Sequence, residues 1–460
     1  MQTMKKNIAF LTPLHPQKTG IADYAEEMLP YLRASLGEDF QLDLFVDHCK
    51  PNGEDVLAHH QIFEIDDYEK LHSNYNLTVY QMGNNSFHLK IYELALRFPG
   101  IVILHDFAIH HMVASVFLEQ KKDDVAYFNE VGYNHGPSAR NEAYTRAASG
   151  KLGLWETDAV DYPMNLRLVE TALGVVVFSQ FAKQRIEAYG CPTPIHRVYL
   201  HCGGEVGVCT PEEQAAARRK LGLKIAPEET VIGVFGFISP SKRPYSILNA
   251  VEQVMNLTGK KIRLLYVGEL QPSCSDLPKE IKKRGLSEQV QITGFTTSEE
   301  FLEYLDASDI CISLRYPTMG ETSGVLNRAL SRGKPSIVTN IGTFHELSDE
   351  MVAKIGYSET EVTELTTAIH KLLTDEISRE QISANGLQYA SDHLRIGDTA
   401  RSLADFLKSA AWATSLEHNE EYLTMRNQLL ADCVAAGRVD DAILTPVAQR
   451  LAETFGGGAQ

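Results

Sequence analysis

Short apolar runs of strand-forming residues alternate with segments of helical periodicity along most of this chain, and the alternation occurs twice. Such strand–helix alternation is typical of a parallel sheet covered by helices. The first series of predicted strands is Asn7–Thr12, Phe40–Val46, Asn76–Gln81, Ile101–His105 and Gly174–Ser179. The second series is Val231–Ile238, Arg263–Gly268, Val290–Gly294, Ile310–Leu314 and Ser336–Thr339. The sequence therefore predicts an α/β protein with two Rossmann-like, doubly wound domains that face a central cleft.

The length of the chain fits this division, because 460 residues are too many for one hydrophobic core. We predict a first domain at residues 1–200 and a second at residues 201–392, joined through a stretch with glycine and proline breakers. Residues 393–460 are predicted to be a helical segment with a flexible tail at Gly456–Gly458.

The acidic composition restricts the partners of this chain. It has 60 Asp and Glu against 43 Lys and Arg, a formal charge of −17, so its surface repels nucleic-acid backbones at long range. The seven cysteines show no CxxC spacing and indicate free thiols in a reducing compartment. The start lacks the apolar stretch of a secretory signal, and no run approaches the roughly 18 apolar residues of a spanning helix. We expect a soluble, cytoplasmic protein without nucleic-acid partners, with peripheral contact to the inner face of the cell membrane left open.

Glycines and polar side chains occur where the predicted strands end, and α/β folds bind ligands at the carboxyl ends of parallel strands. After the first strand, Lys18 and Gly20 precede a helix. A glycine at this place lets the backbone approach a ligand and exposes the amides of the helix N-terminus. An ordinary strand–helix turn explains the same residues equally well.

The strand that ends at His105 is followed by Asp106. Polar groups at such a strand end are costly unless they have partners, and a ligand in the crevice could supply them. A structural histidine is the alternative for His105, and more so for His110 and His111. The spacing of these histidines is not that of a helical zinc pair, and no HExxH motif is present.

The second series of strands has a cationic loop after its first member. Gly236 is followed by the adjacent cations Lys242 and Arg243, just before a helix. A lysine provides a point charge and an arginine a two-pronged donor, which together suit a pyrophosphate. The alternative is a solvated basic turn.

A carboxylate stands at the start of a later helix. Glu321 is followed by Thr322, Ser323, Gly324 and Val325. Such a carboxylate can hold sugar hydroxyls while the exposed amides of the helix hold phosphate. Taken alone, simple capping of the helix by Glu321 and Thr322 would be the preferred interpretation.

In this order, the motifs resemble those of the family 4 glycosyltransferases of the GT-B fold, over roughly residues 5–395. The resemblance is carried by PLHPQKTGIADY, GNNSFH, PGIVILHDF, FGFISPSKRP, VGEL, ITGF and YLDASDICISLRYPTMGETSGVLNRALSRGKPSIVTNIGTFHEL. The last block is the most specific, since it is similar to the donor-site signature of the family.

The resemblance implies a retaining hexosyltransferase that uses a nucleotide-diphosphate-sugar, without a bound metal or other cofactor. The first domain would bind the acceptor and the second the donor, and residues 393–460 would cross back to the first domain. The acceptor would be a glycan, a lipid-linked or a small molecule, and the setting cell-surface polysaccharide synthesis.

The resemblance also implies roles for the residues named above. His105 and Glu321 would contact the donor sugar, and Lys242 with Arg243 would neutralise the diphosphate. Further donor or phosphate contacts would come from Gly20, Gly236 and the Thr322–Val325 amides, which include Ser323 and Gly324. Lys18 and Asp106 would lie on the acceptor side.

Two positions depart from the family pattern. Relatives have an arginine where this chain has Phe237, and Arg243 is expected to supply that charge. Relatives also have a second glutamate, which falls here on Arg328 or Ala329. Because that glutamate is missing, a non-catalytic sugar-nucleotide-binding protein and a nucleotide-sugar epimerase of the same fold remain alternatives. A dinucleotide-dependent oxidoreductase is disfavoured, since no GxGxxG follows the first strand.

Overall fold

Each predicted series of strands forms its own parallel sheet in the computed structural model, which describes residues 5–226 and 228–417. The first sheet contains β1 Lys6–Leu11, β2 Phe40–Val46, β3 Ile62–Glu64, β4 Leu77–Met82, β5 Ile101–Leu104, β6 Gly174–Val177 and β7 Ile195–Arg197. Its strand order is β3-β2-β1-β4-β5-β6-β7, and all neighbours pair in parallel.

The second sheet has six strands. They are β8 Thr230–Phe235, β9 Ile262–Val267, β10 Val290–Ile292, β11 Ile310–Ser313, β12 Ser336–Thr339 and β13 Ala353–Ile355. Their order is β10-β9-β8-β11-β12-β13, again with parallel neighbours. The two sheets have the GT-B arrangement of two Rossmann-like domains, as predicted.

Helices connect the strands and cover the sheets. Those of the first half are α1 Gly20–Leu36, α2 Glu54–His59, α3 Tyr68–Leu71, α4 Leu89–Arg97, α5 His110–Ala114, α6 Asp124–Ala148 (interrupted at Gly136), α7 Leu154–Thr157, α8 Leu166–Thr171 and α9 Gln180–Glu187. Those that follow are α10 Pro211–Lys220, α11 Pro244–Thr258, α12 Leu277–Lys283, α13 Ser298–Ala307, α14 Gly324–Ser331, α15 Glu361–Thr374, α16 Glu376–His393 and α17 Ile396–Glu417. No described helix is both long and apolar enough to span a membrane.

Local signals explain why the helices begin where they do. Helix α11 has Pro244 at its first position and ends before Gly259, which has a positive φ of 67°. Thr297 and Glu300 form a reciprocal capping box at the start of α13. These signals lie within a few residues of each helix end, so the local sequence specifies where these helices begin or end.

Three short edge strands were not predicted. β3, β7 and β13 have three residues each and are only partly buried. The central strands β4 and β5 are buried along their whole length and therefore show continuous apolar runs. An edge strand exposed on one side lacks such a run, so only pairing with its neighbour defines it.

The chain divides into the units Met1–Phe406 and Leu407–Gln460, and both sheets lie in the first. Within that unit, the Thr399 hydroxyl donates to Tyr199 O at 3.0 Å. Phe406 stacks on His196 of β7 at 4.7 Å. The start of α17 thus packs beside the first sheet, while the predicted domain boundaries stay a prediction. The predicted tail Gly456–Gly458 lies outside the described residues.

The strand orders place the site loops. The direction of strand succession reverses between β1 and β4 in the first sheet and between β8 and β11 in the second. Ligands of open α/β sheets bind outside the carboxyl ends of the strands at such reversal points. Every site residue predicted from the sequence lies in a loop, or at the start of a helix, that follows β1, β5, β8 or β11.

Candidate functional site

The loop after β1 is held by a charged histidine. His15 Nε2 donates to Asp23 Oδ1 at 2.8 Å, and its backbone amide donates to Glu26 Oε1 at 2.8 Å. Hydrogen bonds to Asp23 and Glu26 raise the pKa of His15 to about 10. The same loop ends at Gly20, where an added Cβ would have nothing within 4 Å. The backbone at the start of α1 is therefore open to a ligand.

Lys18 extends from this loop to the second half of the chain. Its Nζ lies 3.8 Å from Glu269 Oε2, in the loop after β9. It also lies 4.4 Å from the ring centroid of Phe295, in the loop after β10. Lys18 therefore bridges loops of both sheets, and its place on the acceptor side stays a prediction.

His105 is fixed at the end of β5. Its amide donates to Met82 O at 2.8 Å, and its Nε2 donates to Gln81 Oε1. The rings of Tyr24 and Phe178 lie 4.8 and 4.9 Å from the imidazole. Burial lowers the pKa of His105 well below its ordinary value, and nearby histidines lower it further. His105 is therefore a neutral ring.

The neighbouring carboxyl of Asp106 is held near its point of ionisation. Its Oδ2 accepts from Asn84 N at 2.8 Å. Burial and the negative charge of Glu321 raise the pKa of Asp106 to about 7, whereas the Asn84 amide and Arg315 act in the opposite direction. The pKa of Asp106 thus depends on charges that belong to the second half of the chain.

His110 is a structural histidine. It is fully buried and hydrogen bonds Tyr127 Oη at 2.8 Å, and burial lowers its pKa to about 3. His111 Nδ1 lies 3.3 Å from Asn84 Nδ2. Within the described ranges, no group of three or more His, Cys, Asp or Glu is placed to hold a metal ion. The expected metal independence stays a prediction.

Lys242 packs against the backbone of Gly236 after β8. Its Nζ donates to Phe235 O, and a Cβ on Gly236, whose φ is +81°, would collide with Nζ. Burial lowers the pKa of Lys242 well below its ordinary value; Arg315 lowers it further and Glu321 opposes the shift. A bound anion would favour the charged lysine, so this site is suited to a ligand that brings its own negative charge.

Arg243 does not join Lys242. Its Nε lies 3.0 Å from both carboxylate oxygens of Glu361, a residue that is only 2% exposed. Its guanidinium lies 5.9 Å from the ring of Tyr316. The charge of Arg243 is therefore matched within the protein, which argues against the expectation that it replaces the family arginine missing at Phe237.

Arg315 was missed by the sequence analysis. It follows β11, its Nε donates to Glu321 Oε1 at 2.8 Å, and its charge acts on both Lys242 and Asp106. The signal was available, because Arg315 is a polar residue directly after a buried strand. Arg315 is thus the arginine that the structure brings into the group formed by Lys242, Asp106 and Glu321.

Glu321 is rigidly oriented. Its Oε2 accepts from Thr318 Oγ1 at 3.0 Å and from Met319 N at 2.8 Å, while Oε1 accepts from Arg315. Its own carbonyl accepts from Thr343 Oγ1 at 2.7 Å. A carboxylate has about four acceptor positions, so one remains for a ligand hydroxyl.

The start of α14 borders a cleft. Ser323 caps the helix by accepting from Leu326 N at 3.2 Å. The cap is therefore Ser323, and not Glu321 or Thr322 as in the alternative interpretation of the sequence. Thr322 and Ser323 line a cleft together with Phe178 and Ser179 of the first half. Gly324 and Val325 are partly exposed beside them.

Two contacts join the loops of the two sheets. Ala108 N donates to Met319 O at 2.8 Å. Gly320 has a φ of +70°, and an added Cβ would lie 2.7 Å from Phe107 Cβ. The loop after His105 and Asp106 therefore packs on the loop that presents Glu321, in agreement with the effect of the Glu321 charge on Asp106.

The position of the missing second glutamate has another role. Arg328 forms an ion pair with Glu27 of α1, and Glu27 Oε2 lies 3.6 Å from His201 Nδ1. Ala329 is fully buried. Neither residue offers a carboxylate to a ligand; instead, Arg328 connects α14 to α1.

Residues 217–389, which contain the whole second sheet, match the family model described as glycosyl transferases group 1. This match identifies residues 217–389 as a group 1 glycosyl transferase domain. The more specific assignment to family 4 stays a prediction. The family match includes Lys242, Arg315 and Glu321 and does not reach His105.

Relatives of this group 1 glycosyltransferase domain are distant. The D-inositol 3-phosphate glycosyltransferase of Mycobacterium sp. (strain JLS) is 26% identical over 209 residues, which cover 44% of this chain and 45% of the relative. The chain thus spans less than half the length of that curated relative.

Solved structures agree in fold over most of the chain. Anabaena HepE, in complex with UDP and glucose, has a TM-score of 0.58 and 18% identity, and the match covers 88% of this chain and all of HepE. Sucrose-phosphate synthase from Thermosynechococcus elongatus has a TM-score of 0.60 and 14% identity, covering 89% of this chain and all of the synthase. At these identities the likeness establishes the fold alone.

Proposed function

We propose that this protein is a retaining glycosyltransferase that moves a sugar from a nucleotide-diphosphate-sugar to a hydroxyl group of an acceptor in the cleft between the sheets. The observation that carries the proposal is the meeting of two groups of residues. Lys242, Arg315 and Glu321 come from the second half, and the charges of Arg315 and Glu321 act both on Lys242 and on Asp106, which lies beside His105 of the first half.

The proposed chemistry is mainly stabilisation of the leaving group. Breaking the bond between sugar and phosphate builds negative charge on the diphosphate. Lys242, Arg315 and the amides at the start of α14 are fixed before the reaction and counter that charge without reorganisation. Because these groups supply the positive charge, we propose that transfer needs no bound metal.

Glu321 and His105 would orient the donor sugar, and Asp106 would contact the acceptor hydroxyl. Retention would follow from attack on the face from which the phosphate departs, with the departing phosphate taking the proton of the acceptor. The acceptor class, a glycan, a lipid-linked or a small molecule, and a setting in cell-surface polysaccharide synthesis follow the family resemblance. UDP-sugars are the first donors to test, because HepE was solved with UDP.

Alanine substitutions test the assignment. Lys242→Ala, Arg315→Ala and Glu321→Ala are each expected to lower kcat by about 10²–10³, the usual loss for one such group. Lys283→Ala, which removes an exposed lysine of α12, is the matched control and should leave turnover unchanged. Turnover is measured as nucleotide release with a panel of UDP- and GDP-sugars and acceptors, and thermal unfolding checks each fold. Near-normal turnover in both the Lys242 and Glu321 variants would refute the proposal.

Incubation with donor alone separates the alternatives. Nucleotide release that depends on an acceptor supports transfer, whereas an epimerised sugar supports an epimerase. Binding of donors, measured by thermal shift, with no turnover across the acceptor panel supports a non-catalytic binding protein.

A further inference from the structure

Gln81 is a buried glutamine in the middle of the first sheet. It lies on β4, between β1 and β5, and its side chain is fully buried among apolar residues of these strands. A buried amide without partners costs stability, so its hydrogen bonds need an explanation. Gln81 accepts from two histidines: its Oε1 accepts from His105 Nε2, and its carbonyl accepts from His88 Nδ1 at 2.9 Å. Its Nε2 has no hydrogen-bond partner among the described residues.

The bond to His105 determines where the imidazole carries its proton. An amide oxygen can only accept, so with the Gln81 amide in this orientation the proton resides on Nε2, and a neutral ring then has its lone pair on Nδ1. Burial and the neighbouring rings of His88 and His201 keep His105 neutral. Within residues 5–226 and 228–417, no hydrogen bond reaches His105 Nδ1, and the residue is partly exposed.

The ring is also held in place. His105 N donates to Met82 O at 2.8 Å, next to Gln81, and Tyr24 packs edge-on against the imidazole at 4.8 Å. Its position and its proton are thus set by different groups: the backbone and Tyr24 set the position, and Gln81 sets the proton.

We propose that Gln81 is a positioning residue that holds His105 as the Nε2–H tautomer, so that Nδ1 is available only as an acceptor for a hydroxyl group of the ligand in the cleft. That the hydroxyl belongs to a sugar rests on the proposed function. The tautomer does not, and it can be measured without any substrate.

The test is nitrogen NMR of the ¹⁵N-histidine-labelled full chain, with the His105 signals identified through their loss in His105→Asn. In the wild type we expect a protonated Nε2 and an unprotonated Nδ1. Gln81→Leu should remove this preference and give a mixture of tautomers. Gln81→Glu retains an acceptor and adds a negative charge, so it should raise the pKa of the His105 ring by about one unit or more. The other titratable groups around the ring are Tyr24, His88 and His201, and they are the same in both variants.

Thr78→Val is the matched control, because Thr78 is a buried polar residue of the same strand that hydrogen bonds Tyr68 and not His105. It should leave the His105 signals unchanged. A wild-type ring protonated on Nδ1, or an unchanged tautomer in Gln81→Leu, overturns the proposal. If Gln81→Leu does not fold, an unchanged titration in Gln81→Glu has the same force.

Activity provides a second readout. Gln81→Leu should lower kcat about tenfold, with a smaller effect on KM, because about one ordinary hydrogen bond is lost. Gln81→Glu should shift the pH profile of activity in the same direction as the pKa of the His105 ring. Absence of turnover in the wild type with every donor would contradict the proposed function while leaving the NMR result on Gln81 intact.

Discussion

At the scale of single residues, burial shifts the pKa values of Lys242 and Asp106 in opposite directions. The pKa of Lys242 is lowered and that of Asp106 is raised, because both lose water around their charged forms. Glu321 favours charge on the lysine and disfavours it on the aspartate. Burial therefore disfavours the charged form of each of these two side chains, and a bound anion would favour the charged form of Lys242.

The raised pKa of Asp106 predicts a pH-dependent stability. With a pKa of about 7 in the folded chain and about 3.9 in the unfolded chain, the folded state binds more protons between these values. Wild-type stability should therefore fall as pH rises through this window, and Asp106→Asn should escape that fall. We expect the melting temperature of Asp106→Asn to rise relative to wild type from about pH 5 to about pH 8.

The control for this experiment is Asp398→Asn, which removes an exposed carboxylate of α17. A melting-temperature difference between Asp106→Asn and wild type that does not change with pH would contradict the assignment of a raised pKa to Asp106.

At the scale of elements, the start of α1 contains a glycine that the fold does not need. Thr19 caps this helix by accepting from Ile21 N at 3.4 Å, and Gly20 occupies the first helical position without contacts for an added Cβ. Nothing in the fold requires a glycine at Gly20. In the proposed function, the requirement comes from close approach of a ligand to the backbone.

Gly20→Ala should therefore leave the melting temperature unchanged or slightly higher, since alanine favours helix by up to about 1 kcal/mol over glycine. The same variant should weaken donor or acceptor binding, measured by calorimetry. Gly397→Ala is the matched control, because Gly397 also lies in the first turn of a helix with nothing within 4 Å of an added Cβ. Unchanged binding in Gly20→Ala would remove Gly20 from the site.

At the scale of the whole molecule, long-range pairs hold the two sheets of the first unit together. Glu346 accepts from Gln180 N at 3.0 Å and from Phe181 N at 2.6 Å, and so caps helix α9 of the other half. Glu27 and Arg328 form a second link, from α1 to α14. The residue that replaces the family's second glutamate thus contributes to the contact between the halves.

A double-mutant cycle tests this link. Glu27→Ala and Arg328→Ala should each lower the free energy of unfolding by about 1–3 kcal/mol, because each leaves a partly buried charge without its partner. The double variant should lose less than the sum, with a coupling of about 1 kcal/mol measured by urea unfolding. Strict additivity would show that the pair contributes nothing to the contact. Lys261 and Glu228, an exposed pair, provide the control cycle with a coupling near zero.

The sequence by itself determined the two parallel sheets, the starts of α11 and α14, and the loops that carry Lys242 and Glu321. These features follow from apolar periodicity and from capping residues, which act over a few neighbouring positions. Only the tertiary structure decided the edge strands β3, β7 and β13, the pairing of Arg243 with Glu361, and the inclusion of Arg315 in the site. Each of these depends on which distant residue is packed alongside: Glu361 lies 118 positions from Arg243. The proposed tautomer of His105 belongs with them, because Gln81 would set it from the neighbouring strand. The pKa values of the cleft also belong with them, because the burial that shifts them exists only once the chain has folded.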